Sequence, residues 1–498
     1  MLATARTFTL LGVTAREVRV EADVRSGLPT FALVGLPDRA VRESRERVRA
    51  AIANSGFEFP QRRITANLAP ADLRKAGPAF DLAIAAAILA ASDQLGHDRL
   101  EGVALAGELA LDGSIRIVPG ALAMAEAARR AGARAIALPA ASAPEASLAG
   151  GLRVLPIDRL DQLATIGTEA EPGPPDPPPL DGGSVRGPGD DLGDLRGQPY
   201  LRRALEVAAA GAHSLLITGP PGAGKSMAAR RLPSLLPPLD RSEAIDVLRI
   251  ASASGRRLDP ERASSRPFRA PHHTISAAGL VGGGSPPQPG EVTLAHRGVL
   301  FLDELSEFRR DVLEALRQPL EDGRVEIARA RHLLELPCQF QLVAAANPCP
   351  CGRGQDHPDC ECTTLAARTH AAKLSGALAD RIDITLRVSQ PDPETLSGPP
   401  GESSATVRDR VLAARERQAA RLGEGRVNAS ATAKELRAHC TIDEESRRLL
   451  ARSGAAALLS GRGHGRVLRV ARTIADLAGA AELDADHVLE ALALRRPT

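Results

Sequence analysis

Over the first 165 residues, short apolar runs are broken by regularly spaced polar positions. TFTLLGV, REVRVEADV and TFALVGL read as strands, the second by alternation with period two. Between Arg39 and Asn54 the period changes: Val41, Val48 and Ile52 recur at helical spacing and predict a helix. This mixture predicts an α+β region. From Pro172 to Gly189, twelve of eighteen residues are Pro or Gly, so backbone donors are missing and a linker is expected. Beyond it the rhythm lengthens. A helix, YLRRALEVAAAGAH, leads into the apolar strand SLLIT and a glycine turn that opens another helix. GVLFL then ends at Asp303-Glu304, and FQLVAAA ends at Asn347. Strands separated by helices predict an α/β unit whose parallel sheet gathers its chemistry at the carboxyl ends. After about residue 390 the pattern is helical only, and no fixed-period repeat is visible. The expected divisions are 1–165, a linker at 166–193, a core at 194–390 and a helical region at 391–498.

The length of 498 residues suits about three domains. With 63 basic and 61 acidic residues the net charge is +2, so no global basic field marks a nucleic-acid binder. Nine Phe, one Tyr and no Trp exclude a single-strand binder built mainly on aromatic stacking. The longest apolar stretch, Leu82 to Ala91, is half of the ~20 residues a membrane helix needs. The amino terminus lacks a basic n-region and a cleavage site, so a cytoplasmic protein is expected. On the helix 39–54, Arg42, Arg45 and Arg49 share a side with Glu43 and Glu46; this reads as a solvated face before a phosphate site.

Lysine occurs only at 75, 225, 373 and 434. One of these completes Gly219-Pro220-Pro221-Gly222-Ala223-Gly224-Lys225-Ser226, which fits GxxxxGK[ST] between a strand and a helix. Glycines let backbone N–H groups close around phosphates, Lys225 reaches the β/γ-phosphates of ATP, and Ser226 ligates Mg²⁺. Downstream, Asp303 can hold Mg²⁺ through water, and Glu304 can orient and deprotonate the attacking water. Four of the six cysteines, Cys349, Cys351, Cys360 and Cys362, form C-x-C-x₈-C-x-C. Four thiolates at this spacing can close a structural Zn²⁺ site, with free thiols as the alternative.

Together GPPGAGKS, GVLFLDEL, AAANPCPCG and SGALADRID resemble the magnesium-chelatase-like branch of the AAA+ ATPases, and FRAPHHTISAAGLVGGG and LRQPLEDGRV narrow the resemblance to the ComM (YifB) family. The resemblance implies a P-loop core with a helical lid, a hexameric ring, and ATP hydrolysis at subunit interfaces. It further implies a translocase that migrates DNA branches during homologous recombination of incoming DNA in natural transformation. By position, Asn347 corresponds to sensor 1, Arg381 to the arginine finger, and Arg462 to sensor 2, with Arg466 and Arg469 as alternatives. The segment carrying His272 and His273 corresponds to a pore insert, and GRVEIARARHLLELP to a pre-sensor hairpin whose tip carries Arg329, Arg331 and His332; these are the expected DNA contacts. The amino-terminal region resembles the proteolytic domain of Lon through DLRKAGPAFDLAIAAAI. Its nucleophile position holds Ala79, and Ala121 to Ala128 contain no Lys, so no protease activity is expected. The competing expectation is a chelatase-type motor that remodels a protein partner.

Overall fold

Alternation in the amino-terminal runs becomes a mixed seven-stranded sheet in the computed structural model, which describes residues 1–168, 173, 175–177, 180, 191–256, 264–284, 287–329, 332–374, 378–455 and 461–495. Its strands are β1 (Leu2–Leu11), β2 (Thr14–Arg25), β3 (Thr30–Val34), β4 (Arg63–Ala69) and β5 (Val103–Leu105). A small hairpin, β6 (Glu108–Leu109) and β7 (Ile115–Arg116), stands apart, and β8 (Ala135–Leu138) and β9 (Arg153–Pro156) complete the sheet. The order is β3-β4-β2-β1-β5-β8-β9, with antiparallel pairs β1–β2 and β2–β4 and parallel pairs elsewhere.

The helix Arg39–Asn54 forms as its periodicity predicts, with the Asp38 carboxylate accepting the Val41 N–H at 2.8 Å as the cap. Val41, Val48 and Ile52 are buried, and Arg42, Arg45 and Arg49 are exposed. Beneath it lies the helix Asp81–Ala91, apolar on every side after its first residue and buried throughout. Its one charge is matched: Arg47 donates to both Asp81 oxygens at 2.6 and 3.0 Å, and the Leu109 N–H adds a third bond. Burial pushes the Asp81 carboxyl up to about 6 against the pull of Arg47.

The second sheet contains β10 (Leu215–Thr218) and β11 (Phe268–Arg269), then, after the small hairpin of β12 (Gly282–Gly283) and β13 (Gln288–Pro289), β14 (Val299–Leu302). The hairpin of β15 (Arg324–Arg329) and β16 (His332–Pro337) precedes β17 (Gln341–Ala346) and β18 (Ile384–Arg387). The order β11-β14-β17-β10-β18 is parallel throughout. Central strands bury both faces with period two. Leu215, Ile217, Val299, Phe301, Val343 and Ala345 face one core, while Leu216, Leu300, Leu302, Leu342 and Ala344 face the other. Because β17 separates β10 from β14, the ends of these three strands converge on one crevice.

From Pro393 onward the described elements are helices, packed against the first core by Val407, Val411, Val467, Val470 and Ile474. Most of the Pro/Gly-rich stretch lies outside the described residues. The two sheets' surroundings meet directly. Arg249 pairs with Glu126 at 2.9 Å, and Gly12, at φ +63° between β1 and β2, leaves no room for a side chain against Leu334 and Leu336. Among the described residues no helix is long and apolar enough to cross a membrane.

Candidate functional site

The crevice at the carboxyl ends of β10, β14 and β17 holds the residues singled out by pattern. After Thr218 the chain turns through Gly219–Gly224, with Gly222 and Gly224 at φ +78° and +82°, and enters the helix Lys225–Leu235. A Cβ at Gly219 would stand 2.5 Å from the Val388 carbonyl, so only glycine fits there. The Lys225 ammonium donates to the carbonyls of Gly219 and Pro220 at 2.6 and 2.9 Å and to Asn347 Oδ1 at 3.1 Å. Burial pulls it below its ordinary value, and the carboxylates of Asp303 and Glu304 oppose that pull. Ser226 Oγ donates to Asp303 Oδ2 at 2.7 Å, so hydroxyl and carboxylate already stand together as a Mg²⁺-binding pair would. Asp303 Oδ1 accepts the Glu304 N–H at 3.0 Å. Glu304 itself has φ +52°, an uncommon conformation for a side-chain-bearing residue, and its carboxylate is half exposed. An ammonium, a hydroxyl–carboxylate pair, an amide and an outward carboxylate around a glycine turn are what binding and hydrolysis of a nucleoside triphosphate require.

The cysteines join this crevice. Cys349 and Cys351 lie two and four residues beyond Asn347, and the four sulfurs of Cys349, Cys351, Cys360 and Cys362 lie within 4.8 Å of one another. Separations of 3.3 Å (Cys349 to Cys351), 3.6 Å (Cys351 to Cys360) and 3.9 Å (Cys349 to Cys360) bracket the ~3.8 Å edge of a tetrahedron with 2.3 Å Zn–S bonds. The Arg353 backbone N–H, then Cys349, pull the Cys351 thiol down, while burial and these neighbouring thiols push Cys360 and Cys362 up, so the four thiols titrate as one group. These residues fit a thiophilic tetrahedral ion. Gly352, at φ +84°, presses on Pro221 so closely that a Cβ would stand 2.9 Å from its ring, so the cysteine loop is seated on the phosphate loop.

Other expected site residues are elsewhere. Arg381 precedes β18, at the sheet edge opposite the phosphate loop, where its guanidinium pairs with Glu321 and its carbonyl accepts the Ser214 hydroxyl at 2.7 Å. Arg466 is buried 3.9 Å from Asp383 at that same edge, and Arg469 donates to the Ala431 carbonyl. Arg462 opens the same helix, Gly461–Ala478, but its side chain lies outside the described residues. His273 stands beside Glu304, Nδ1 to Oε2 at 3.4 Å, and lies against His272 with ring centroids 4.1 Å apart and the rings tilted by 33°. The hairpin β15–β16 pairs from Arg324↔Pro337 to Arg329↔His332; the side chains of Arg329 and His332 and all of Arg331 lie outside the described residues.

Three neighbours of the phosphate loop escape motif reading. Gln198 donates to the Ala223 and Ser389 carbonyls, Leu195 lies against Gly224, and the Gln390 amide lies beside Gly222. The only advance signal was the polar GQP break before a helix. In the amino-terminal region, Ala79 lines a cleft of about 240 Å³ together with Thr9 and Met124. Among the described residues Asp38 is the one titratable group lining it, and both its oxygens accept backbone N–H groups, from Val41 and Gly77. Among the described residues, no nucleophile–base pair lines this cleft.

Comparison with known proteins covers almost the whole chain. The family model for magnesium chelatase subunit ChlI matches residues 191–396, that for subunit ChlI of Mg-chelatase matches 20–142, and that for the ChlI C-terminal part matches 401–495. Protein YifB of Escherichia coli (strain K12) is 43% identical over 496 residues, covering 99% of this chain and 97% of its own. Competence protein ComM of Haemophilus influenzae is 42% identical over 490 residues, 97% of this chain and 96% of its own. Lon protease 2 of Bacillus subtilis is 31% identical over 180 residues, 32% of each chain.

Proposed function

Because the chain belongs to the ComM/YifB family of magnesium-chelatase-like AAA+ proteins, we propose that it is an ATP-driven ring motor that moves branched or single-stranded DNA during homologous recombination of incoming DNA. The observation that carries the reading is the end-to-end likeness to a competence protein in a chain whose phosphate loop, Mg²⁺ pair and outward carboxylate converge.

Lys225 exchanges its two loop carbonyls for β- and γ-phosphate oxygens, and the loop N–H groups close around the same phosphates. Ser226 and Asp303 would hold Mg²⁺, which supplies charge neutralisation at the phosphates. Glu304 takes the proton of the attacking water, and Asn347 places that water. Arg381 stands one strand length from this crevice, across the sheet, and therefore serves the γ-phosphate of an adjacent subunit in the ring. The arginine of the helix Gly461–Ala478 that assists is Arg462, since Arg466 and Arg469 are engaged with Asp383 and Ala431. The four cysteines hold a structural Zn²⁺ that braces the loop after Asn347. The amino-terminal region is a Lon-like fold without protease chemistry, supported by the partial likeness to Lon protease 2. DNA is gripped by the hairpin β15–β16 with Arg329 and Arg331, and by the segment of His272 and His273, through phosphate contacts that read no sequence.

ATP turnover with and without forked DNA tests this. Forked DNA is expected to stimulate turnover, and replacing Arg329 and Arg331 by Ala should abolish the stimulation and flatten the log–log salt dependence of binding by about two. Stimulation by a protein partner in place of DNA would favour a chelatase-type remodeller. Arg381→Ala should bind ATP without hydrolysing it, and mixing it with Lys225→Ala should restore part of the turnover, because hybrid interfaces combine an intact finger with an intact phosphate loop.

A further inference from the structure

Three arginines of the helix Arg39–Asn54 are held in place without being neutralised. Arg42 Nε donates to the Asp38 carbonyl at 3.3 Å, Arg45 donates to the Phe31 carbonyl at 3.4 Å, and Arg49 lies over the Phe59 ring, 5.3 Å from its centroid. Carbonyls and a ring orient a guanidinium and leave its charge unspent. Elsewhere in the same region an arginine meets a carboxylate: Arg6 pairs with Glu17, Arg25 with Asp23 and Arg47 with Asp81. Positions 42, 45 and 49 form one stripe about 10 Å long. The carboxylates that the sequence interleaves with it are mostly engaged. Arg39 takes Glu43 at 2.8 Å, and backbone N–H groups take both oxygens of Asp38. Two more arginines adjoin the stripe. β3 is the edge strand, its Thr30 stands opposite Arg63, and the Thr30 N–H donates to the Arg62 carbonyl, so exposed Arg62 and Arg63 flank the strand over which Arg45 leans. Five exposed arginines thus stand against Glu46 and Glu58, the carboxylates of this helix and its following loop that have no side-chain partner among the described residues.

We propose that this surface binds the sugar–phosphate backbone of a double-stranded arm of DNA and so holds the substrate at a second place, apart from the hairpin β15–β16. This rests on the reading of DNA as the polymer moved. The two places are far apart. Gly12, in the turn before β2, packs on the hairpin, whereas Arg25, at the other end of β2, pairs with Arg63; the strand between them spans roughly 40 Å. The choice of a duplex follows from the aromatic side chains. Phe59 carries Arg49 on its ring and Phe31 packs against Phe59 with centroids 6.0 Å apart, so neither offers a platform on which an unpaired base could stack. A duplex presents its phosphates in a stiff row, which guanidinium groups already fixed in a stripe meet with little further ordering. A single strand must first be straightened, at a cost in entropy.

The experiment is equilibrium binding of the full-length chain to a duplex of about 20 base pairs and to a single strand of the same length, followed by fluorescence anisotropy across a salt series. Arg42→Gln, Arg45→Gln and Arg49→Gln together should weaken duplex binding at least about tenfold and lower the log–log salt slope by about two to three. ATP turnover without DNA should be unchanged. Lys at the same three positions should keep most of the affinity, because contact with a phosphate needs the charge and not the fork. The loss should be smaller on the single strand, and it should add to that of Arg329→Ala with Arg331→Ala, since the two places are too far apart to interact. Unchanged duplex binding in the Gln variant, equal losses on the two DNAs, or a Lys variant as weak as the Gln variant overturns the inference alone. Displacement of the duplex by polyglutamate as readily as by DNA of equal charge would make this a surface for an acidic protein, and overturns it too. Failure of the wild-type chain to bind either DNA overturns the reading of DNA as the polymer, and this inference with it.

Discussion

Two of the four lysines are buried, one beside each sheet, and burial pulls both ammonium groups below their ordinary value. Lys75 is fully buried; its Nζ donates to the Pro70 carbonyl, its backbone N–H to Leu36 and its carbonyl accepts Asp38. Lys225 donates to two carbonyls of a glycine turn and to an amide at the carboxyl edge of a parallel sheet. The depressed ammonium is common to both and so identifies neither as functional. The difference lies in the partners. Those of Lys225 are loop groups that phosphate oxygens can replace, with Asp303 and Glu304 close enough to influence its charge. Those of Lys75 are structural carbonyls closing a bend, with Asp72 as its opposing charge. The same contrast separates the two crevices: one is ringed by polar side chains, whereas the other, at Ala79, has Thr9 and Met124 on its wall and a fully engaged Asp38.

The largest effect that sharpens this contrast comes from Lys225→Ala. It should remove ATP binding and lower kcat/KM by at least about 10³, with little change in fold stability, since its bonds are to groups that water can satisfy. Glu304→Gln should instead bind ATP normally and turn over at least about 10²-fold more slowly. Equal ATP affinity in the wild type and Lys225→Ala, measured by titration with a fluorescent nucleotide, would break the comparison at its root.

What the chain's pattern made legible was local. Period and turn chemistry placed the helix Arg39–Asn54 and the strands that became β10, β14 and β17, because each depends on neighbours in sequence. The glycine turn and the acidic pair were legible for the same reason. Contacts between loops were not. That His273 reaches Glu304, that Gly352 sits on Pro221, and that Arg381 lies at the opposite end of the strands from Lys225 all follow from strand order, which puts β11 beside β14, β17 beside β10, and β18 parallel to β10. A period-two run is silent about which strand lies beside it. The pairing of Arg47 with Asp81 was equally hidden, because a charge at the start of an apolar helix gives no sign of its partner 34 residues earlier.

An intermediate effect is expected at the cysteine loop, which borders the Lys225 crevice and has no counterpart beside Lys75. Purified protein should carry about one zinc per chain, and Cys349→Ser with Cys362→Ser should lose it. Because Gly352 packs on Pro221, loosening the loop should also weaken ATP binding about three- to tenfold, with hydrolysis of the bound nucleotide continuing. Elemental analysis together with nucleotide titration checks both. Loss of zinc with unchanged ATP affinity would make the loop a separate structural unit, and its contact with Pro221 incidental.

The smallest effect belongs to Lys75, and it is the one that isolates burial from chemistry. Lys75→Met keeps the length and volume of the side chain, removes a charge from the interior and leaves the Pro70 carbonyl without its donor. Those two changes oppose each other, so stability should move by no more than about 1–2 kcal/mol, and ATP turnover should be unchanged. The pH dependence gives the sign. Folded Lys75 has a pKa below the ordinary 10.5, so the unfolded chain binds the proton more tightly, and wild-type stability gains from this residue as pH rises from the depressed value towards 10.5. Below that interval the protonated, buried ammonium costs the fold its full penalty. Urea midpoints measured between about pH 8 and about pH 10 should therefore rise more steeply in the wild type than in Lys75→Met, in which the other shifted groups are unchanged. Identical slopes in the two proteins would mean that Lys75 keeps an ordinary ammonium despite its burial, and that a depressed ammonium is then not common to the two lysines.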